Sequence, residues 1–220
     1  MRLLIINGSP RGVKSNSAIL INQFLDGFNS KAKQVAELIF LAKKSDKEIA
    51  EVKIKESDAI LLIFPLYTDC MPGIVLQFFE EIISTDYLNG KKLGFIVQSG
   101  FHEAKQSVYV ERYLEKFAKR NKANYLGTVI KGGVEGIQVQ PASMTKKLYE
   151  SFRMLGEKFA ETNSFDPIIK ARLLHRFEFK GASLVSLKII SKTGIFNMYW
   201  NSQLKKNNAY HLKNAQPYKT

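Results

Sequence analysis

Apolar runs alternate with amphipathic stretches as far as residue 162, and this alternation predicts the secondary structure. Short apolar runs of strand length occupy residues 3–6, 35–41, 58–64, 93–97 and 125–130. Apolar residues at helical spacing predict a helix that opens at residues 15–17 and further helices over residues 73–83, 107–120 and 144–162. In the helix over residues 107–120, the inward positions are expected to be Val108, Val110, Tyr113, Leu114 and Phe117.

The order of these elements predicts an α/β protein of three layers, in which helices cover both faces of one parallel sheet. The run 58–64 is almost entirely apolar, as expected for a strand that is covered on both faces. Five strands favour the spatial order 2-1-3-4-5, which places a ligand at the carboxyl ends of strands one and three. The loops that follow these two strands, residues 9–17 and 65–73, are also the unusual ones.

The first of these loops has the composition of an anion site. It follows a buried strand and precedes a helix N-terminus, where unpaired N–H groups and the helix dipole favour negative charge. It contains groups that can hold a phosphate by hydrogen bonds, namely Arg11 and the hydroxyls of Ser9, Ser15 and Ser17. Its glycine spacing fits neither the P-loop pattern nor the dinucleotide fingerprint. The alternative interpretation is a structural turn in which Ser15 caps the helix.

Two segments together resemble a known family. Gly8-Ser9-Pro10-Arg11, with Ser15-Asn16-Ser17 shortly after it, and the loop 65–73 are similar to segments of the flavodoxin-like NAD(P)H-dependent FMN reductases and quinone reductases. The resemblance covers residues 1–162 and implies a flavodoxin-like fold. It implies that the FMN phosphate is held by Ser9, Arg11, Ser15, Asn16 and Ser17, and that the isoalloxazine ring lies beside Pro65, Leu66, Tyr67, Thr68, Met71, Ser99, Gly100 and Phe101. Alternatively, Leu66 and Met71 only complete the core.

The resemblance also implies an activity. A member of this family would pass a hydride from NAD(P)H through FMN to a quinone, azo, nitro or flavin acceptor by a ping-pong mechanism, often as a homodimer. Hydride transfer needs no general base, so no catalytic side chain is expected. Two alternatives stay open. One is an electron carrier without an NAD(P)H site, although carriers of this fold are typically acidic and this chain has a net charge of +13. The other is a non-catalytic regulatory flavoprotein that associates with nucleic acid or membrane.

Other candidate residues carry weaker signals. The loop 132–136 contains three glycines, and it either borders the ligand or is a plain return loop. His102 lies near the same edge, but a single loop histidine is usually solvated. Cys70, the only cysteine, is interpreted as a free thiol, because no histidine is visible that would activate it. The three histidines are too scattered to predict a metal site.

The end of the chain is basic, and residues 166–220 carry +8 of the net charge. We divide the chain into a domain over residues 1–163 and a partly helical extension over residues 164–220, with a helix at residues 167–177. The extension is expected to pack on the domain or on a dimer partner. Its rings and lysines also suit nucleic acid, and residues 183–200 suit an anionic membrane surface. With no apolar run of bilayer length and no signal peptide, a cytoplasmic protein is expected.

Overall fold

The computed structural model describes residues 1–33, 36–174, 178, 180–195, 197–216 and 218. The chain divides into two compact units, Met1–Glu178 and Phe179–Thr220. Several residues used in the sequence predictions lie outside the described residues, and these are Val35, His175, Phe177 and Phe196.

The first unit contains one parallel sheet and the helices that cover it. The strands are β1 (Leu3–Asn7), β2 (Glu37–Phe40), β3 (Ala59–Pro65), β4 (Lys92–Gln98) and β5 (Asn124–Lys131). The helices are α1 (Asn16–Lys31), α2 (Lys44–Glu56), α3 (Gly73–Ile83), α4 (Val108–Arg120), α5 (Ala142–Thr162) and α6 (Pro167–Leu173). The strand order is β2-β1-β3-β4-β5 with every pair parallel, so the predicted fold class and order are confirmed.

Side chains of each central strand alternate between the two faces of the sheet, as the pleat requires. In β1, Leu3 and Ile5 belong to one core, and Leu4 and Ile6 belong to the other. The first core is closed by α1, α5 and α6, and the second by α2, α3 and α4. This double burial explains why the sequence shows continuous apolar runs rather than alternation.

Two details of the helices differ from the sequence predictions. In α4, Tyr113 is exposed and Val108 is only half-buried, whereas Ala118 is buried. The small Ala118 allows close packing at a position that a search for large apolar residues overlooks. Helix α2 was not predicted at all, because its sequence is mostly charged and it buries only Ala50 and Ile54.

Asp46 fixes the start of α2 against the end of β2. Its carboxylate accepts the backbone N–H of Phe40 at 3.1 Å and pairs with Lys43 at 3.2 Å. Burial by itself would raise the pKa of Asp46, but the hydrogen bonds from Lys43 and from the Phe40 amide outweigh it, so this pKa lies below its ordinary value.

The residues immediately after α5 complete the core of the first unit. Asn163 ends α5 in the left-handed conformation with φ of 55°, and Asp166 caps α6 by accepting the N–H of Ile169 at 2.9 Å. Phe165, Ile169 and Leu173 are buried in the same core as α1 and α5. The first unit therefore extends to Glu178, beyond the boundary that the sequence suggested after residue 163.

The second unit consists of short helices joined by turns. It contains α7 (Ala182–Lys192) and α8 (Asn197–Lys206), followed by a single 3₁₀ turn at Tyr210–Leu212. Gly181 and Gly194 have φ of 55° and 75°, a conformation that glycine adopts without steric cost. None of the residues of α7 is buried.

Helices α1 and α5 approach each other through two glycines. A Cβ on Gly156 would collide with the carbonyl oxygen of Phe24, and a Cβ on Gly27 would collide with that of Arg153. Because backbone atoms cannot rotate away as a side chain can, these two positions hold the helices at a separation that only glycine permits.

We therefore predict that Gly156→Ala destabilises the protein. Overpacking against backbone costs about 3 kcal/mol, and the higher helix propensity of alanine recovers only about 1 kcal/mol. A net loss of about 2 kcal/mol should appear in chemical denaturation. Gly73→Ala is the control, because no atom lies within 4 Å of a Cβ placed there. Equal stability of the two variants would contradict the tight contact.

Candidate functional site

The carboxyl ends of four strands surround a cleft of about 420 Å³. The loops after β1, β3, β4 and β5 contribute its lining, which consists of Ser9, Arg11, Asn16, Pro65, Leu66, Tyr67, Thr68, Gln98, Ser99, Gly100, Phe101 and Glu135. Ten of the thirteen predicted cofactor-binding residues are thus brought together at one place. The other three, Ser15, Ser17 and Met71, are not part of the lining.

Asn7 organises the loop between β1 and α1. It is the last residue of β1 and is fully buried. Its Oδ1 accepts the N–H of Ser9 at 2.9 Å, and its Nδ2 donates to Ser15 Oγ at 3.3 Å. One side chain therefore joins the two ends of the loop. Sequence reasoning missed Asn7, although a single amide that ends an apolar strand could have indicated it.

The hydroxyl of Ser15 is engaged within the loop. It accepts the N–H of Ala18 at 3.0 Å and donates to the carbonyl oxygen of Gly12 at 2.6 Å. This geometry is the helix cap that the sequence left open as the alternative. Because α1 begins at Asn16, the amides of Asn16 and Ser17 lie in its first turn, where the helix itself supplies no carbonyl partner.

Two buried polar atoms of the cleft-lining residues have no hydrogen-bond partner among the described residues. They are Oδ1 of Asn16 and Oγ of Ser99. The other end of the Asn16 amide is fixed, because its Nδ2 donates to the carbonyl oxygen of Val134 at 2.9 Å. A buried polar atom without a partner costs about 1–3 kcal/mol, so its presence calls for an explanation.

The loop after β3 contains a tight hairpin beside the cleft. Tyr67 and Cys70 exchange two backbone hydrogen bonds of 2.8 and 3.0 Å. The residues between them, Thr68 and Asp69, have φ of 45° and 65°. Positive φ at both central positions is the mirror-image turn that normally contains Asn-Gly. For a β-branched residue such as Thr68 this conformation is strained.

The apolar residues of this loop divide between the core and the cleft. Met71 is buried in the core and does not line the cleft, whereas Leu66 belongs to both. Tyr67 and Phe101 are exposed and line the cleft from two different loops. The cleft therefore offers two accessible aromatic rings as well as polar groups.

The loops after β4 and β5 pack backbone against backbone. The N–H of Gly133 donates to the carbonyl oxygen of Phe101 at 2.6 Å, and that of Val134 donates to Ser99 at 2.9 Å. A Cβ on Gly132 would collide with the same Phe101 oxygen, so glycine is required there. This contact brings the loop 132–136 to the cleft, where it contributes Glu135.

Sequence reasoning did not include Gln98 in the site, and it left open whether the loop 132–136, which contributes Glu135 to the lining, borders the ligand. Gln98 is the last residue of β4, and its Nε2 donates to the buried Ser17 Oγ at 3.4 Å. A polar residue at the end of an apolar strand was the available signal. His102 is exposed and does not line the cleft, and Cys70 is an exposed free thiol. Within the described ranges, no group of three or more potential metal-binding side chains occurs.

The sheet order defines a doubly wound α/β protein, and the cleft lies at the switch point between β1 and β3, where proteins of this class bind their ligands. Residues 1–153 match the family described as having a flavodoxin-like fold, and the chain belongs to that family. The resemblance noted in the sequence is thereby confirmed at the level of the family.

Solved structures of low sequence identity share this fold. An NADPH-quinone reductase from P. pentosaceus has 20% identity and a TM-score of 0.52, over 70% of this chain and 96% of that one. An FMN-dependent NADH-azoreductase from Bacillus anthracis, solved with FMN, has 15% identity and a TM-score of 0.54, over 73% and 100%. An NAD(P)H:quinone oxidoreductase from Methanothermobacter marburgensis has 17% identity and a TM-score of 0.56, over 72% and 96%.

A search of curated proteins gave no match. In the part of the chain that the structure describes, every helix is too short or too polar to cross a membrane.

We predict that replacing the strained hairpin residues, by Thr68→Asn together with Asp69→Gly, stabilises the ligand-free protein. Relief of the positive-φ strain should add about 1 kcal/mol or more to the free energy of unfolding. Thermal unfolding without ligand measures this change. Thr68→Val is the matched control, since it keeps the branched Cβ and should give no gain. An unchanged or lower melting temperature for the double variant would contradict the strain.

Proposed function

We propose that this cleft binds FMN and that the protein is an NAD(P)H-dependent oxidoreductase, which delivers electrons to a small acceptor of the quinone, azo, nitro or flavin class. The observation that carries the proposal is the pair of buried polar atoms, Asn16 Oδ1 and Ser99 Oγ, that lack partners at the edge of a cleft lined by two exposed aromatic rings. The named structural neighbours support the cofactor and the reaction class.

The groups at the β1–α1 loop suit the phosphate of FMN. Ser9 and the guanidinium of Arg11 line the cleft, and the first turn of α1 supplies backbone N–H groups. Arginine binds a phosphate through two parallel hydrogen bonds, which adds orientation to attraction. In this proposal Ser15 acts indirectly, because it caps α1 and so positions the amides of Asn16 and Ser17.

The remaining loops suit a flat, amphipathic ring. Tyr67 and Phe101 offer aromatic surface, and Pro65 and Leu66 offer apolar contact. Thr68 of the strained hairpin lines the cleft, and Gly100, which has no side chain, lets a ligand approach the backbone closely. Asn16 and Ser99 gain partners for their unpaired atoms, which offsets part of the cost of burying them.

When bound, FMN supplies the hydride-accepting and electron-donating chemistry, which no protein side chain offers. The role of the chain is then to bind and orient the cofactor and the substrates and to exclude water from them. We propose that the nicotinamide and the acceptor use the same open side of the cleft in turn, which gives ping-pong kinetics. We also propose that the protein is a homodimer, as the resemblance suggests, and that it works in the cytoplasm.

The first test is the visible spectrum of the protein after addition of FMN, followed by NADPH or NADH without oxygen. We expect a protein-bound flavin spectrum that bleaches with a nicotinamide and returns with a quinone. If dithionite bleaches the flavin but neither nicotinamide does, the protein is an electron carrier rather than a reductase. Failure to bind FMN would overturn the proposal.

The second test addresses the phosphate site. Arg11→Gln should weaken FMN binding about tenfold or more, because a hydrogen bond to a charged group contributes about 1.5–3 kcal/mol. Riboflavin, which lacks the phosphate, should bind equally well to the variant and to the original protein. Fluorescence titration measures both affinities, with Arg120→Gln as a control because Arg120 is exposed at the end of α4. An equal loss for both flavins would contradict a phosphate contact at Arg11.

A further inference from the structure

The charge of the second unit is entirely positive. Phe179–Thr220 contains seven lysines and neither aspartate nor glutamate, so all 20 acidic residues of the chain belong to the first unit. The first unit, Met1–Glu178, nevertheless has a net charge of +6. The net charges of the two units therefore favour a partner that is more acidic than a second copy of this protein.

The second unit also exposes aliphatic side chains. Val185 and Ile189 in α7 are 57% and 62% exposed, and Ile195 and Met198 further on are 55% and 66% exposed. No residue of α7 is buried, and the four apolar side chains named here are accessible to water. Several exposed apolar side chains in one short segment are a candidate interaction site.

The apolar and basic residues of α7 form adjacent stripes. Val185 and Ile189 are four positions apart and lie on one face, and so do Lys188 and Lys192. Each lysine follows its apolar neighbour by three positions, so the two stripes lie side by side. Lysine can bury its aliphatic stem beside an apolar stripe and keep its ammonium group at a polar boundary. Leu184, Leu187 and Ile190 add apolar surface on the other sides of α7. Burial of apolar side chains together with attraction of lysines to anionic lipid is what binds a helix to a membrane interface.

We propose that the second unit docks on an anionic lipid surface, through the apolar stripe of α7 and the lysines beside it. This inference goes beyond the proposed function and does not depend on it. The exposed rings of this unit, such as Trp200, suit a nucleic acid as well as a lipid surface, but exposed aliphatic side chains such as Val185 and Ile189 have no role in phosphate contact or base stacking and favour lipid. The net positive charge of the first unit argues against a second copy as the partner. A lipid surface matches both the charge and the apolar residues.

The test is sedimentation of the full chain with vesicles of phosphatidylcholine alone or mixed equally with phosphatidylglycerol. We expect binding to the anionic vesicles only, weakening as salt is raised. Lys188→Gln with Lys192→Gln should lower the partition coefficient roughly thirtyfold, at roughly fivefold per lysine. Val185→Ser with Ile189→Ser should lower it at least about tenfold.

Matched controls separate this surface from general charge and apolarity. Lys116→Gln with Lys147→Gln removes two exposed lysines from the first unit, and Met144→Ser removes an exposed apolar side chain there. Neither should change the partition coefficient, and all variants should unfold at the same temperature. No binding to anionic vesicles, or equal losses in the controls, overturns the proposal. Tighter binding to short duplex DNA than to the vesicles, or a dimer that the α7 variants dissociate, overturns it in favour of nucleic acid or a second copy.

Discussion

The burial of the sheet on both faces constrains the rest of the first unit. Because both faces of the sheet are covered, the chain can leave a strand only at its end. The backbone N–H and C=O groups at these ends must still form hydrogen bonds, because an unpaired buried group is costly. The ladder of backbone hydrogen bonds between neighbouring strands continues for one residue beyond the ends of β1 and β3. Gly8 N donates to the carbonyl oxygen of Ile63 at 2.8 Å, and Leu66 N donates to that of Gln98 at 2.7 Å. These hydrogen bonds join the start of each loop to a neighbouring strand and so determine where the loops leave the sheet beside the cleft.

The sequence predicted the parts of the fold that depend on large apolar areas. All five strands were found because a strand buried on both faces appears as a continuous apolar run. Helix α2 was missed because it buries only Ala50 and Ile54, which is too little to produce a clear pattern among its charged residues. The contact through Gly27 and Gly156 was also invisible, since it depends on the separation of two helices far apart in the sequence.

The location of the cleft was predictable from the topology of the sheet, but which side chains of the loops face the cleft was not. The loops after β1 and β3 must meet at the switch point, whatever their detailed conformation. Whether Ser15 faces the cleft or caps α1 depends on the path of the loop, which Asn7 sets through its two hydrogen bonds. The contribution of Glu135 likewise depends on the glycine contact between the loops after β4 and β5, which is a tertiary feature.

The cleft and the hairpin beside it carry both conformational and polar costs. Thr68 and Asp69 adopt positive φ at a cost of about 1 kcal/mol or more each, and Asn16 and Ser99 each leave a buried polar atom without a partner. A ligand present at about a hundred times its dissociation constant stabilises a folded protein by about 2.7 kcal/mol, which is of the same order as these costs. Local conflicts of this kind are expected where a sequence serves binding rather than stability. Their presence around one cleft supports our proposal that this chain functions at the carboxyl edge of the sheet.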